Sequence, residues 1–117
     1  MTKNIAIICF GFSKRQVRSQ PWHMANGVAM ALKVEGFNIN LLTDTEDYPE
    51  RNFRIHSLPA LFEKNLPSKE LLNLLEMIKP STTLVFIGSH ELLKPKRFRL
   101  AGKVHLVICN ARFSFRE

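Results

Sequence analysis

The chain has 117 residues, of which 45% are hydrophobic and 23% charged, an ordinary balance for one globular domain with its own core. No apolar run approaches the roughly 20 residues that span a bilayer, and the short apolar segment near the start lacks a signal-peptide cleavage site. We therefore expect a cytoplasmic protein, either free or peripheral at a membrane surface.

The net charge is +7, from 17 Lys and Arg against 10 Asp and Glu. Cations concentrate in residues 14–18 and in Lys94–Arg99, whereas acids cluster in Asp44–Glu50. An uneven basic surface favours anionic partners, namely nucleic acid, anionic lipid or phosphorylated ligands. The alternative is a solvated surface that serves solubility. Because no nucleic-acid motif is recognisable, we expect no nucleic-acid partner.

The first third of the chain predicts a strand, a helix and a second strand. The apolar run Ile5–Phe10 is a strand that Gly11 ends. Apolar residues recur at helical spacing from Pro21 to Glu35, and Gly36 suits the end of a helix. The alternation in Phe37–Thr43 predicts a half-exposed second strand.

The remaining elements follow in the order strand, helix, strand, strand. Asn52–Leu58 predicts a short third strand, and residues 59–67 read as a connection. Ser68 is a good N-cap for a helix that runs to Lys79 with leucines on one face. Thr82–Ile87 and Val104–Cys109 predict strands four and five, with an ambiguous stretch between them.

This element order predicts one Rossmann-like α/β domain over residues 1–117. It has three layers, with a mostly parallel sheet of about five strands between helices on both faces. If the strand order is 3-2-1-4-5, strand four separates Cys9 from Cys109 by roughly 10 Å, which is too far for a disulfide. We therefore expect two buried thiols.

The loop after strand one does not match the common nucleotide motifs. Gly11 stands alone, so neither G-x-G-x-x-G nor a Walker A loop is present. Arg15 and Arg18 are three residues apart and suit phosphate recognition, because a guanidinium donates two parallel hydrogen bonds; the alternative is a solvated loop. Trp22 is either a packing anchor or part of a binding wall. Asp44 at the end of strand two is a candidate ribose ligand, although a turn role is simpler.

Three further groups have weaker assignments. His90 follows strand four and is a candidate general base, with a capping or solvent-exposed histidine as the alternative. Cys9, His90 and Cys109 lack metal-ligand spacing, so we expect no metal site and no cofactor. Leu92 and Leu93 precede a basic segment that suits an anionic membrane surface, with cations at Lys94, Lys96, Arg97 and Arg99.

Taken together, the chain resembles the N-terminal half of a GT-B glycosyltransferase of the glycosyltransferase 4 type. The resemblance rests on Ile5–Gly11, on Arg18–Trp22 leading into Met24–Gly36, and on Phe37–Asp44. The helix followed by Leu-Lys-x-x-Gly-aromatic-x-apolar-x-Leu-Leu-Thr-Asp is similar to the first βαβ unit of that family. Such enzymes transfer a sugar from a nucleotide donor to a lipid or saccharide acceptor. Their N-terminal domain contributes acceptor contacts and part of the donor phosphate site.

The resemblance implies which residues contact ligand. Together with the loop chemistry above, it leads us to expect the phosphate and acceptor contacts at Arg15, Arg18, Ser19, Gln20 and Trp22, with His90 and Asn110 as weaker acceptor-side candidates. Ser19-Gln20 stand where many relatives have Gly-Gly, and Asn110 stands where many have a histidine.

The resemblance also implies a missing partner. The donor-site E-x7-E motif is absent from these 117 residues, so we expect no sugar transfer without a C-terminal donor-binding domain or a partner subunit. The competing hypothesis is a non-catalytic Rossmann-like or flavodoxin-like module that binds a partner protein or an anionic surface.

Overall fold

A computed structural model of the protein describes residues 3–10, 22–63, 66–87 and 103–108. Two helices and seven strands lie in these ranges. In chain order they are β1 (Asn4–Cys9), α1 (Trp22–Val34), β2 (Asn38–Thr43), β3 (Arg54–Ser57), β4 (Phe62–Glu63), β5 (Leu66–Pro67), α2 (Lys69–Ile78), β6 (Thr82–Ile87) and β7 (Lys103–Ile108).

The main sheet has five parallel strands in the order β3-β2-β1-β6-β7. This confirms the predicted α/β class and the predicted strand order. β1 lies at the centre because Ile5–Cys9 is apolar on both sides and is buried along its whole length. β6 lies between β1 and β7. Of the two cysteines, Cys9 at the end of β1 is buried, and Cys109 is outside the described residues.

One face of the sheet packs against α1. Ala25 and Ala29 are its buried residues and let the helix approach the alternate β1 side chains Ile5, Ile7 and Cys9. Gly36 ends the helical turn with φ +101°, a backbone conformation that glycine adopts without steric cost. The helix therefore begins and ends within one residue of the prediction.

The other face packs against α2. Ser68 caps this helix, accepting a hydrogen bond from the Leu71 N–H at 3.0 Å and donating its hydroxyl to the Ala60 carbonyl at 2.7 Å. Leu71 and Leu75 are buried in an apolar cluster on the α2 face that also contains Ala6, Ile8 and Leu42. The predicted N-cap and core face of this helix are confirmed.

Two local features differ from the sequence prediction. Residues 59–67 contain a small antiparallel hairpin of β4 and β5, in which Phe62 stacks on Phe10 with ring centroids 5.6 Å apart. This contact joins residues far apart in sequence, so local periodicity gives no sign of it. Asn40, predicted to lie on an exposed face of strand two, is buried, whereas Asn38 is exposed.

Candidate ligand site at the carboxyl edge of the sheet

The strand order reverses at the boundary between β1 and β6. From β1 the chain proceeds through α1 to β2 on one side, and β6 and β7 continue on the other side. The carboxyl ends of β1 and β6 are adjacent, since Cys9 is the register partner of Phe86. In open α/β sheets, ligands bind in the crevice outside the strand ends at this type of reversal.

Trp22 fixes the start of α1 at this edge. Its indole N–H donates a hydrogen bond to the main-chain carbonyl of Phe10, and its half-buried ring packs against the α1-side core. This contact supports the packing-anchor interpretation of Trp22. It also brings together the two residues that flank segment 11–21, because Phe10 precedes that segment and Trp22 follows it.

Of the predicted site residues, Trp22 and the candidate ribose ligand Asp44 fall in the described part of the chain. The structure does not describe the other predicted residues, which belong to the loop after β1, the acceptor-side candidates and the basic segment. These residues are Arg15, Arg18, Ser19, Gln20, His90, Asn110, Lys94, Lys96, Arg97 and Arg99.

The connection after β2 covers part of the α1 side of the sheet, where Tyr48 and Phe53 pack with the α1-side core. Asp44 is exposed directly after β2. Arg51 then ties the connection to α1, since its Nε–H donates to Asn26 Oδ1 at 2.7 Å. A shallow concavity of about 310 Å³ lies beside this contact, with Tyr48 and Phe53 in its lining. The connection thus takes the place that a helix would occupy between β2 and β3.

A polar groove lies on the α2 side of the sheet and was not predicted. Its volume is about 240 Å³. Sequence reasoning missed it because its residues are far apart in the chain and each resembles an ordinary solvent-facing strand position. The polar lining consists of Asn4, Asn38, Asn40, Arg54 and His56, and the apolar lining of Leu74, Met77 and Ile78.

His56 is the groove residue with a perturbed pKa. Its pKa is lowered from the ordinary value, first by burial and second by the nearby Arg54 guanidinium. Among the described residues, no group of three or more His, Cys, Asp or Glu side chains is arranged to hold a metal ion. Neither described helix has the length and apolar character needed to cross a bilayer.

Comparison with known proteins gives no relative for this chain. No protein-family model matches it, and neither the curated proteins nor the solved structures contain a significant match.

Proposed function

We propose that this chain is a Rossmann-like ligand-binding domain that forms the acceptor-side half of a nucleotide-sugar glycosyltransferase. The observation that carries the proposal is the contact of Trp22 with the Phe10 carbonyl at the strand-order reversal. It holds Phe10 and Trp22, the residues that flank segment 11–21 in the sequence, at the edge where open α/β sheets bind ligands. The resemblance to the glycosyltransferase 4 type supports the same assignment.

In this proposal Arg15 and Arg18 bind the diphosphate of the donor or an anionic acceptor. A guanidinium fork suits phosphate oxygens. When the sugar leaves a nucleoside diphosphate for an acceptor hydroxyl, negative charge grows on the leaving phosphate, and nearby arginines stabilise that charge. The role of these residues is therefore positioning and charge stabilisation, without a nucleophile from this chain.

The proposed enzyme is completed by a second, donor-binding domain. The described strands form one parallel sheet and one small hairpin, whereas a GT-B active site lies between two Rossmann-like domains. We accordingly propose that binding of a nucleotide sugar by this chain is separable from sugar transfer, which requires the second domain in the same protein or in a partner.

A second candidate function, a non-catalytic docking module, has its own support in α1. The outward side of this helix carries Met24, Met30 and Val34, and Val34 is 82% exposed. Exposed apolar side chains grouped on one helix face are typical of an interaction surface. Under this alternative, the chain attaches to a partner protein, or its basic segments attach to an anionic surface in a salt-sensitive manner.

A thermal-shift screen distinguishes the two candidates. Ligand that binds only the folded state raises Tm as its concentration increases. The glycosyltransferase proposal predicts that one class of nucleotide sugar raises Tm more than inorganic pyrophosphate at equal concentration. Equal shifts for all phosphates, together with salt-sensitive flotation on anionic liposomes, would favour the docking module.

A further inference from the structure

The polar groove on the α2 side is built by side chains that hold one another in place. The Asn4 amide donates to the Ile78 carbonyl at 2.9 Å, and the Asn38 amide donates to Asn4 Oδ1 at 2.6 Å. These bonds connect the amino-terminal ends of β1 and β2 to the last residue of α2. The hydrogen bonds therefore hold Asn4 and Asn38 against the end of α2, which supplies the apolar side of the groove.

Asn40 is the buried polar group of the groove, with 6% of its surface exposed. Its Oδ1 lies 3.0 Å from His56 Nε2, and the imidazole N–H is the donor because a carboxamide oxygen only accepts. Within the described ranges, the Asn40 side-chain N–H groups have no protein acceptor. These N–H groups are accessible from the groove, where water or the acceptor atom of a ligand can bind them.

Arg54 gives the groove its charge. Its side chain is exposed at the start of β3 and makes no ion pair within the described part of the chain. Among the described residues, no Asp or Glu lines the groove. Leu74 and Met77 of α2 form the opposite, apolar wall. The site therefore combines a cation, neutral donors and an apolar surface in a small volume.

We propose that this groove binds a small monocarboxylate with a compact apolar body. The carboxylate would bridge the Arg54 guanidinium and the Asn40 amide, and the body would lie against Leu74 and Met77. A planar carboxylate matches the fork of one arginine. Arg54 is the one cation in the described lining, and the negative end of the α2 dipole opposes any anion there, a phosphate dianion more strongly than a carboxylate.

The groove is separate from the ligand edge of the proposed function. Asn4 begins β1 and Cys9 ends it, so the two sites lie about 16 Å apart along the strand. The groove is also on the α2 face, whereas Trp22 packs on the α1 face. A test of the carboxylate site is therefore independent of a test of the glycosyltransferase proposal.

Titration of the full chain with benzoate, benzamide and phenyl phosphate, followed by NMR, tests the proposal. We expect saturable benzoate shifts at the Asn40 side-chain amide and at His56, with a Kd of about 1 mM, as is typical of so small a ligand. Benzamide, which has the same shape without the charge, should bind at least about tenfold more weakly. Phenyl phosphate should also bind more weakly than benzoate.

Variants separate a charge-dependent site from a generic crevice. Arg54→Gln should weaken benzoate binding by about tenfold or more, while Lys69→Gln, an exposed charge loss on α2 outside the groove lining, should leave it unchanged. Because Arg54 is exposed, its variant is expected to fold. Equal affinity for benzoate and benzamide, or full binding by Arg54→Gln, would overturn the proposal, as would saturable shifts confined to other residues.

Discussion

Asn40 and His56 form a hydrogen-bonded pair across neighbouring strands, with Oδ1 3.0 Å from Nε2. The pair lies on the α2 face of the sheet. It joins a buried amide to a partly buried imidazole whose pKa is lowered by burial and by Arg54. Because the pKa of the His56 imidazole differs between the folded and unfolded states, the free energy of unfolding depends on pH.

We expect acidification to destabilise the protein through His56. In the unfolded chain the imidazole titrates near pH 6.5, whereas in the folded chain it titrates lower. Between these two pKa values the unfolded state binds more protons, so the free energy of unfolding decreases as the pH falls. The effect is absent above the unfolded pKa and complete below the folded pKa.

Urea unfolding at several pH values checks this expectation. His56→Gln retains an amide N–H for Asn40 and cannot titrate, so it should lose less stability between about pH 7.5 and pH 5 than the wild type. Arg54→Gln should recover only part of the difference, because Arg54 is the smaller cause of the shift. Parallel stability curves for the wild type and His56→Gln would contradict the assignment.

Two glycines near α1 should respond oppositely to alanine. Gly27 lies inside the helix, and an added Cβ would meet no atom within 4 Å; Gly27→Ala should therefore stabilise by about 0.5–1 kcal/mol. Gly36 has φ +101°, so Gly36→Ala should destabilise by about 1 kcal/mol or more. Thermal unfolding of the two variants measures both signs, and stabilisation by Gly36→Ala would show that the chain does not turn there as described.

Adjacent leucines on α2 provide a matched test of its core face. Leu71 is fully buried and Leu72 is 44% exposed. Leu71→Ala should cost about 2–5 kcal/mol in the free energy of unfolding, whereas Leu72→Ala should cost well under half of that. Chemical denaturation measures both changes; similar costs for the two would mean that α2 packs on the sheet through a different face.

Trp22→Phe tests the anchor at the carboxyl edge. The substitution keeps an aromatic ring in the core and removes the N–H that bonds the Phe10 carbonyl. We expect a loss of about 0.5–1.5 kcal/mol and weaker binding of any nucleotide sugar, because the start of α1 would no longer be fixed. His23→Gln, at an exposed neighbour, is the control. Unchanged stability in Trp22→Phe would show that this hydrogen bond contributes nothing to the fold.

The sequence predicted the helices and the main strands because their apolar residues repeat at the period of each element. Residues Thr82–Ile87 were predicted with the bounds that the structure has, since an unbroken run rich in β-branched and apolar residues favours a buried strand. The strand order 3-2-1-4-5 is the common order of open, doubly wound sheets, and the structure has it. These are local patterns or general rules of chain geometry, and neither requires a particular tertiary contact.

The groove and the hairpin could not be predicted in this way. Asn40 and His56 are 16 residues apart, and each has the polarity of an ordinary half-exposed strand position. Their pairing depends on the register between β2 and β3, in which Leu42 aligns with His56. The Phe10–Phe62 stack likewise joins distant residues. Sites that arise from such contacts become visible only when the sheet is assembled.

The most direct test of the central claim is calorimetric titration of a nucleotide sugar into the wild type and into the double variant Arg15→Gln, Arg18→Gln. The control is Lys94→Gln, Lys96→Gln, which removes the same charge from the other basic segment. Our account predicts at least about tenfold weaker binding in the arginine variant alone, with Tm unchanged in both variants. Equal affinity in the wild type and the arginine variant, or an equal loss in both variants, would contradict a phosphate site at the carboxyl edge of β1.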